Sequence, residues 1–565
     1  MSSNVGGQPA RSGLANRVRD GLVDRVLKLP RDGVAPTFVQ RDVRVPMPDG
    51  VDLLADRYLP ASGADQPRPV VLVRTPYGRR GPLGLIYGSP LARRGLPVVI
   101  QNVRGTFGSG GSFHPFHDER DDGLATVAWL REQPWCDGRV AMMGASYLGY
   151  TQWAVAPYVD PPLAALCLSV TASEFTSATY LGGGVGLRGA FEWAVMIERQ
   201  ERGRLQLLRS RFGAAVARNQ RAMAGLPLVD ADERAIGQRS VYWREIVEHS
   251  DPQDDFWRST DHSEGAAKVD TTPISMYTCW WDIFLVNQLR DVVVLQRAGN
   301  PPRLTIGPGA HGDLAVASAS VADAADHLRT VLLGTPPANR ARVRLWLQHG
   351  ERWIDAEQWP PPAQDRTYYL RPGGELGAEP ASDAAPDVTT YDPADPTPTV
   401  GGPVIGRDAG AADNRAIEAR PDVLCYTGPV LAADLDLVGE VSATVRLRSE
   451  PGYADVFVRL CDVEPAGKSM SVTDGFVRLR PGFPASDGVD GVVTVELALR
   501  PTAYRIRAGH RLRVQVSGGA YPRFARNLGT GEPAATATRM VTALRETFGG
   551  SLTLPVYAVA RPNGR

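Results

Sequence analysis

The stretch Arg139-Val140-Ala141-Met142-Met143-Gly144-Ala145-Ser146-Tyr147-Leu148-Gly149-Tyr150 constrains the fold of this chain more than any other. Val140 to Met143 is a short apolar run, the mark of a buried strand. A turn of small residues around one serine follows, and Thr151 to Ala156 reads as the start of a helix. Strand, sharp turn with serine, then helix is the arrangement of a nucleophile elbow. The turn must lift Oγ of Ser146 clear of the sheet, and only small neighbours let the backbone bend so tightly. Gly144 and Gly149 supply that room. Leu148 stands where the generic motif has its second glycine, so the pattern is G-x-S-x-x-G. Taken alone, the stretch also fits an ordinary strand–turn–helix with an idle serine.

The surroundings supply the rest of the sheet. Val70 to Val73, Val98 to Ile100, Leu163 to Val170, Ile274 to Tyr277 and Leu304 to Ile306 are continuous apolar runs. Leu83 to Arg94 and Asp118 to Glu132 read as helices between them. Apolar strands alternating with helices predict a buried, mostly parallel sheet, hence an α/β class, and the elbow within it predicts an α/β-hydrolase core. Before it, Gln40 to Val45 and Val51 to Leu59 read as a hairpin across Met47-Pro48-Asp49-Gly50, and Leu14 to Leu29 as a short amphipathic helix. Residues from about Ala172 to Ser250 turn glycine-rich, then helical and arginine-rich, and read as a cap inserted over the sheet. Past Gly334 the segments alternate apolar and polar, as in Val343 to Leu347, Arg366 to Leu370, Glu440 to Leu447 and His510 to Val516. Strands with one wet face predict antiparallel sheets packed as a C-terminal sandwich or jelly roll. The expected division is 1–171 and 251–333 for the core, 172–250 for the cap and 334–565 for the sandwich, and a chain of 565 residues is too long for one core.

A serine nucleophile needs a base, and the base an orienting acid. In this core they follow in the order Ser, Asp/Glu, His, each after a strand. Asp282 follows the apolar run ending at Tyr277, and His311 follows Leu304 to Ile306, both at strand ends where open α/β sheets place their sites. Only eight histidines are present. His349 and His510 fall in the C-terminal β region, His327 on a polar helical stretch, and His249 and His262 in the cap and its return. His114 and His117 have helical-turn spacing but sit in a Gly/Ser/Pro loop without a Cys or carboxylate framework, so no metal is expected. Asp282 alone could be a turn aspartate and His311 alone a loop histidine; the ordered set of three points to Ser–Asp–His chemistry.

Charge and thiols narrow the class. Lys+Arg and Asp+Glu are both 62, and this balance disfavours a nucleic-acid binder. The five cysteines are scattered, without a C-x-x-C pair, which suits a reducing compartment. Met1 to Arg19 lacks the apolar core of a signal peptide, and no run reaches the roughly 18 apolar residues of a membrane helix. The expectation is a cytoplasmic, cofactor-free enzyme with a small-molecule partner, no nucleic acid and no membrane, its state as monomer or homo-oligomer open.

These residues also carry a resemblance. Arg74-Thr75-Pro76-Tyr77-Gly78, Asn102-Val103-Arg104-Gly105-Thr106-Phe107-Gly108-Ser109-Gly110-Gly111, Gln133-Pro134-Trp135-Cys136-Asp137-Gly138, Gly144-Ala145-Ser146-Tyr147-Leu148-Gly149, Trp280-Trp281-Asp282-Ile283-Phe284, Gly307-Pro308-Gly309-Ala310-His311, Gly509-His510-Arg511-Leu512-Arg513 and Asn527-Leu528-Gly529-Thr530-Gly531 resemble the cocaine esterase/Xaa-Pro dipeptidyl-peptidase family of serine hydrolases. That family includes α-amino-acid ester hydrolases and glutaryl acylases, and its elbow is G-x-S-Y-x-G. The resemblance implies a hydrolase core, a helical cap and a C-terminal jelly roll, with Ser146, Asp282 and His311 as the triad. It implies an oxyanion hole made by the Tyr77 hydroxyl and the Tyr147 N–H; a turn tyrosine packed on Pro76 is the plainer alternative for Tyr77, and its place at a strand end before the elbow favours the donor role. Ile283, where many relatives have glycine, together with Phe284 and Trp281, is expected at the substrate pocket. The segment before the first strand is too short for the N-terminal recognition domain of the larger Xaa-Pro dipeptidyl-peptidases. Glu174, Glu192 and Glu198 are cap acids that could hold a substrate ammonium. The expected reaction is cleavage of ester or amide bonds through an acyl-enzyme, with acyl transfer to an alcohol or amine, or Xaa-Pro peptidase action, as alternatives.

Overall fold

Val70, Leu72, Val140, Met142, Leu166, Leu168, Ile274 and Met276 bury into one core, while the residues between them, Val71, Val73, Ala141, Met143, Ala165 and Cys167, bury into another. Side chains alternate across a strand, so the continuous apolar runs of the sequence serve two faces at once. The computed structural model describes residues 14–29, 36–61, 66–201, 214–380, 385–482 and 490–558; most of the polar N-terminal stretch lies outside them.

The first sheet holds β1 (Thr37–Pro46), β2 (Asp52–Pro60), β3 (Arg68–Thr75), β4 (Val98–Asn102), β5 (Cys136–Ala145), β6 (Ala165–Ser169), β7 (Ile274–Trp281), β8 (Arg303–Ala310), β9 (Val343–Leu347) and β10 (Arg352–Ala356), in the order β1-β2-β4-β3-β5-β6-β7-β8-β9-β10. From β4 to β9 all pairs are parallel, and the hairpins β1–β2 and β9–β10 close the edges antiparallel. This is the α/β-hydrolase-like core that the alternation of strands and helices predicted. The helix α1 (Leu14–Val26) forms where the amphipathic stretch lies. Leu285–Arg297 packs on one face through Leu285, Leu289 and Val292, and Leu314–Leu333 on the other through Val321, Ala324 and Leu328.

One helix carries a local irregularity and one strand departs from expectation. The helix read over Leu83 to Arg94 forms over 82–92, widened to a π-turn over Gly84–Gly88 before its last turn, Ser89–Ala92. Tyr58 lies against both glycines, where a Cβ would come within 2.3 Å of its hydroxyl at Gly84 and 2.7 Å of its ring at Gly88. The alternating run Val343 to Leu347, read as a sandwich strand, instead pairs parallel with β8 in the first sheet. Alternation reports one half-buried face, and the edge of either sheet provides that.

The helices Leu187–Gln200, Ala214–Ala224, Ala231–Ile236 and Val241–Glu248 gather around their own cluster, with Phe191 and Trp243 fully buried. Past β10 the chain is β-rich. β11 (Gln364–Arg371), β12 (Glu375–Gly377), β13 (Asp387–Tyr391), β14 (Val423–Val430), β15 (Leu435–Glu450), β16 (Ala454–Val463), β17 (Ser469–Leu479), β18 (Val493–Ile506), β19 (Arg511–Ser517) and β20 (Ala543–Val556) form a second sheet in the order β17-β16-β19-β14-β12-β11-β20-β15-β18, with β13 on β20. Its end strands β17 and β18 meet, so the sheet curls around one core of Val, Leu and Tyr side chains. Among the described residues no helix is long and apolar enough to cross a membrane.

Candidate active site

Ser146 sits between the end of β5 and the helix Tyr147–Trp153 with φ 57° and ψ −124°, a region costly for any residue with a side chain. The bend is held by what surrounds it. A Cβ on Gly144 would lie 2.4 Å from Cβ of Leu148, and one on Gly149 2.4 Å from Cγ2 of Thr171. Thr171 Oγ1 donates to the Ser146 carbonyl at 2.8 Å, and the Ser146 N–H donates to the Ser169 carbonyl at 2.9 Å. Ser146 itself is half-buried, so its side chain is reachable.

β7 and β8 carry the other two groups to the same sheet edge. The Asp282 side chain is fully buried: Oδ1 accepts from the Phe284 N–H at 2.6 Å, and Oδ2 meets His311 Nδ1 at 2.8 Å. One carboxylate oxygen thus shapes its own loop and the other orients the imidazole, leaving Nε2 of His311 free of that pairing. The ring of Phe284 stands edge-on to His311 at 5.6 Å and stacks on Phe175 at 3.9 Å. Ile283 is half-buried beside them. Trp281 faces another way: its indole donates to Gln348 Oε1 at 3.1 Å within the first core.

Tyr77 follows β3, and its ring meets that of Tyr147 edge-on at 6.4 Å. Its hydroxyl accepts from the Trp193 indole N–H at 2.9 Å. Burial pushes the phenol up to about 12, partly opposed by this bond, so it stays protonated. With a lone pair taken by Trp193, the phenol proton is available to another acceptor. Tyr147 is buried, and its hydroxyl donates to Glu119 at 2.8 Å while accepting from the Phe116 N–H at 2.9 Å. Glu119 is paired with Arg74 at 2.7 Å. The Tyr147 side chain therefore anchors the elbow from below, and only its backbone N–H, at the start of the helix without an intrahelical acceptor, can serve a ligand.

The cap acids are engaged. Glu174 is bonded to Ser177, Asn287 and Arg290, Glu192 to Arg188, and Glu198 to Gln238. His117 Nδ1 lies 3.1 Å from Ser259 Oγ, and among the described residues no cluster of His, Cys, Asp or Glu could hold a metal ion. A small recess lined by Phe116, Tyr150, Phe175, Tyr180, Tyr242 and Trp257 adjoins the site, sharing Phe175 with Phe284 and Phe116 with Tyr147. Trp193 and Phe175 were not singled out from sequence. Nothing in the local sequence of the cap says which of its rings reaches the sheet.

A parallel sheet with a strained serine at a strand–helix turn defines an α/β-hydrolase of the serine-hydrolase type. Residues 49–313 match the X-Pro dipeptidyl-peptidase (S15) family, and residues 338–550 the X-Pro dipeptidyl-peptidase C-terminal non-catalytic domain. The cocaine esterase of Rhodococcus sp. (strain MB1 Bresler) is 32% identical over 549 residues, spanning 87% of this chain and 93% of that enzyme. The chain belongs to this cocaine esterase/X-Pro dipeptidyl-peptidase family of serine hydrolases, as its motifs predicted. Among solved structures, an aminopeptidase from a marine sediment Thaumarchaeota archaeon superposes with a TM-score of 0.78 at 21% identity, covering 94% of this chain and 98% of its own. An α-amino acid ester hydrolase does so with a TM-score of 0.75 at 20% identity, covering 99% and 100%. At those identities they speak for the shared fold.

Proposed function

We propose that the chain hydrolyses esters of small, apolar acyl groups through an acyl-enzyme on Ser146. His311 takes the Oγ proton as Ser146 attacks the carbonyl carbon, and gives it to the leaving alkoxide; it then takes a proton from the water that attacks the acyl carbon, and returns it to Oγ of Ser146 as the Oγ–acyl bond breaks and the acid departs. Asp282 fixes the imidazole tautomer and balances the imidazolium. The Tyr77 hydroxyl and the Tyr147 N–H receive the negative charge that develops on the carbonyl oxygen. Ile283 and Phe284 bound the acyl side. The observation that carries this reading is the 2.8 Å Asp282–His311 bond on the sheet edge that also bears the strained Ser146. The engagement of Glu174, Glu192 and Glu198 by neighbouring side chains favours a simple ester over an aminoacyl substrate, whose ammonium would need a free carboxylate.

Ser146→Ala removes only Oγ from a turn that tolerates small residues. Turnover should fall by roughly 10⁴- to 10⁶-fold with the thermal melt unchanged, and a fluorophosphonate should label the wild type but not the variant. Activity near wild type in the variant defeats the mechanism. A panel of p-nitrophenyl esters beside aminoacyl-prolyl p-nitroanilides tests the preference, the esters being turned over faster.

A further inference from the structure

β18 is where the C-terminal domain touches the hydrolase sheet: it packs on β7, β9 and the helix Leu285–Arg297. It is irregular at that place. Its pairing with β15 runs residue by residue except that Thr502 opposes Gly439 and Leu499 opposes Val441. Arg500 and Pro501 thus face the single residue Glu440, a β-bulge, a device that re-aims a side chain out of its regular direction. Thr473 Oγ1 donates to the Arg500 carbonyl at 2.6 Å and ties the bulge to β17. The Arg500 side chain leaves its own domain, buried at 5% exposure, and its Nη2 donates to the backbone carbonyl of Asp282. That carbonyl also accepts from the Leu285 N–H at 3.4 Å.

The charge balance points the same way. Asp474, a buried carboxylate of the same domain that attracts Arg500, is already held by Arg523 at 2.8 Å and Arg459 at 3.1 Å. Arg500 adds a third guanidinium to this group, and the other carboxylate attracting it is that of Asp282. Burial lowers its proton affinity to about 10, which leaves it a cation at neutral pH.

We propose that Arg500, in the domain the family description calls non-catalytic, is a positioning residue for the active site: it fixes the Asp282 backbone so that the carboxylate meets His311, and supplies a buried positive charge behind that carboxylate. The inference rests on the Ser146–His311–Asp282 reading above. The test uses the full chain with Arg500→Met, which keeps an apolar stem and leaves the Asp282 carbonyl its Leu285 donor, and with Arg500→Lys, which keeps the charge and one donor. Small misplacements of a catalytic group cost up to about 10²-fold. Arg500→Met should lower kcat and the rate of fluorophosphonate labelling roughly 10- to 100-fold with KM unchanged, and Arg500→Lys should recover most of both. Wild-type kcat in Arg500→Met overturns the proposal. So does equal impairment of both variants with a raised KM, the pattern of a loosened domain contact; if Arg500→Met does not fold, Arg500→Lys against wild type decides by the same split. Failure of the wild type to label at Ser146 instead defeats the triad reading itself.

Discussion

The Tyr77 hydroxyl is the residue-scale feature with the sharpest consequence. Trp193 donates into its oxygen from the cap at 2.9 Å, which both places the phenol and polarises its O–H outward. Tyr77→Phe keeps the ring and deletes that donor. By the scale of other oxyanion-hole deletions kcat should drop about 10²- to 10³-fold, roughly 2.7–4 kcal/mol, with little change in KM. Trp193→Phe removes only the helper and should cost less than Tyr77→Phe. Steady-state kinetics beside thermal melts check both, and a loss confined to KM would make Tyr77 a packing residue. The placement of Ser146, Asp282 and His311, each directly after its own strand, was legible in the apolar runs that precede them. Trp193 was not: it lies 116 positions from Tyr77, and helical spacing cannot say which cap ring will meet the sheet. Arg500 was hidden for a different reason, since a bulge that redirects a side chain leaves no periodic trace.

At the scale of elements, the turn Leu181–Gly183 fastens the cap to β17. Gly182 has φ 58°, and a Cβ there would stand 2.0 Å from the Phe476 carbonyl oxygen; one on Gly184 would strike the Phe476 ring at 2.3 Å. Leu181 packs on the Phe457, Phe476, Ala520 and Phe524 cluster beside it. The backbone carbonyl of a paired strand cannot step aside as a flexible side chain would. Gly182→Ala should therefore cost on the order of 2–3 kcal/mol, from the left-handed backbone and the clash together. The expected readout is a lowered Tm, together with faster amide exchange in the turn Leu181–Gly183; a variant as stable as wild type would mean the contact is loose. Sequence located this glycine run as the entry to the cap, and located most strands. It failed at β9, because a period of two identifies a half-wet strand without naming the sheet that receives it.

Across the whole molecule, His262, where the chain returns from the cap to the core, is one of the groups on which acid stability depends. Its ring is buried between the hydroxyls of Tyr150, 3.2 Å from Nε2, and Tyr158, 3.3 Å from Nδ1. Burial, with the nearby charge of Arg120, lowers its folded proton affinity from 6.5 to about 4. Because the folded value is depressed, the contribution to stability is present above pH 6.5 and is lost as pH falls towards 4. The loss amounts to about 3 kcal/mol. His262→Gln should lose less stability than wild type between pH 7 and pH 4 in denaturant titrations; equal losses would show that the histidine is protonated in place. The general layout of core, cap and β-rich tail was readable from the change of periodicity along the chain, whereas the contacts joining these bodies depend on pairings hundreds of residues apart. The placement of β9 and β10 has a consequence for anyone recombining such enzymes. A chimera spliced at Gly334 would inherit the hydrolase's last two strands from a foreign parent and leave β8 to pair with a stranger; the seam that respects the sheet lies after Ala356, and even there a graft must bring an arginine to stand behind the aspartate of its host.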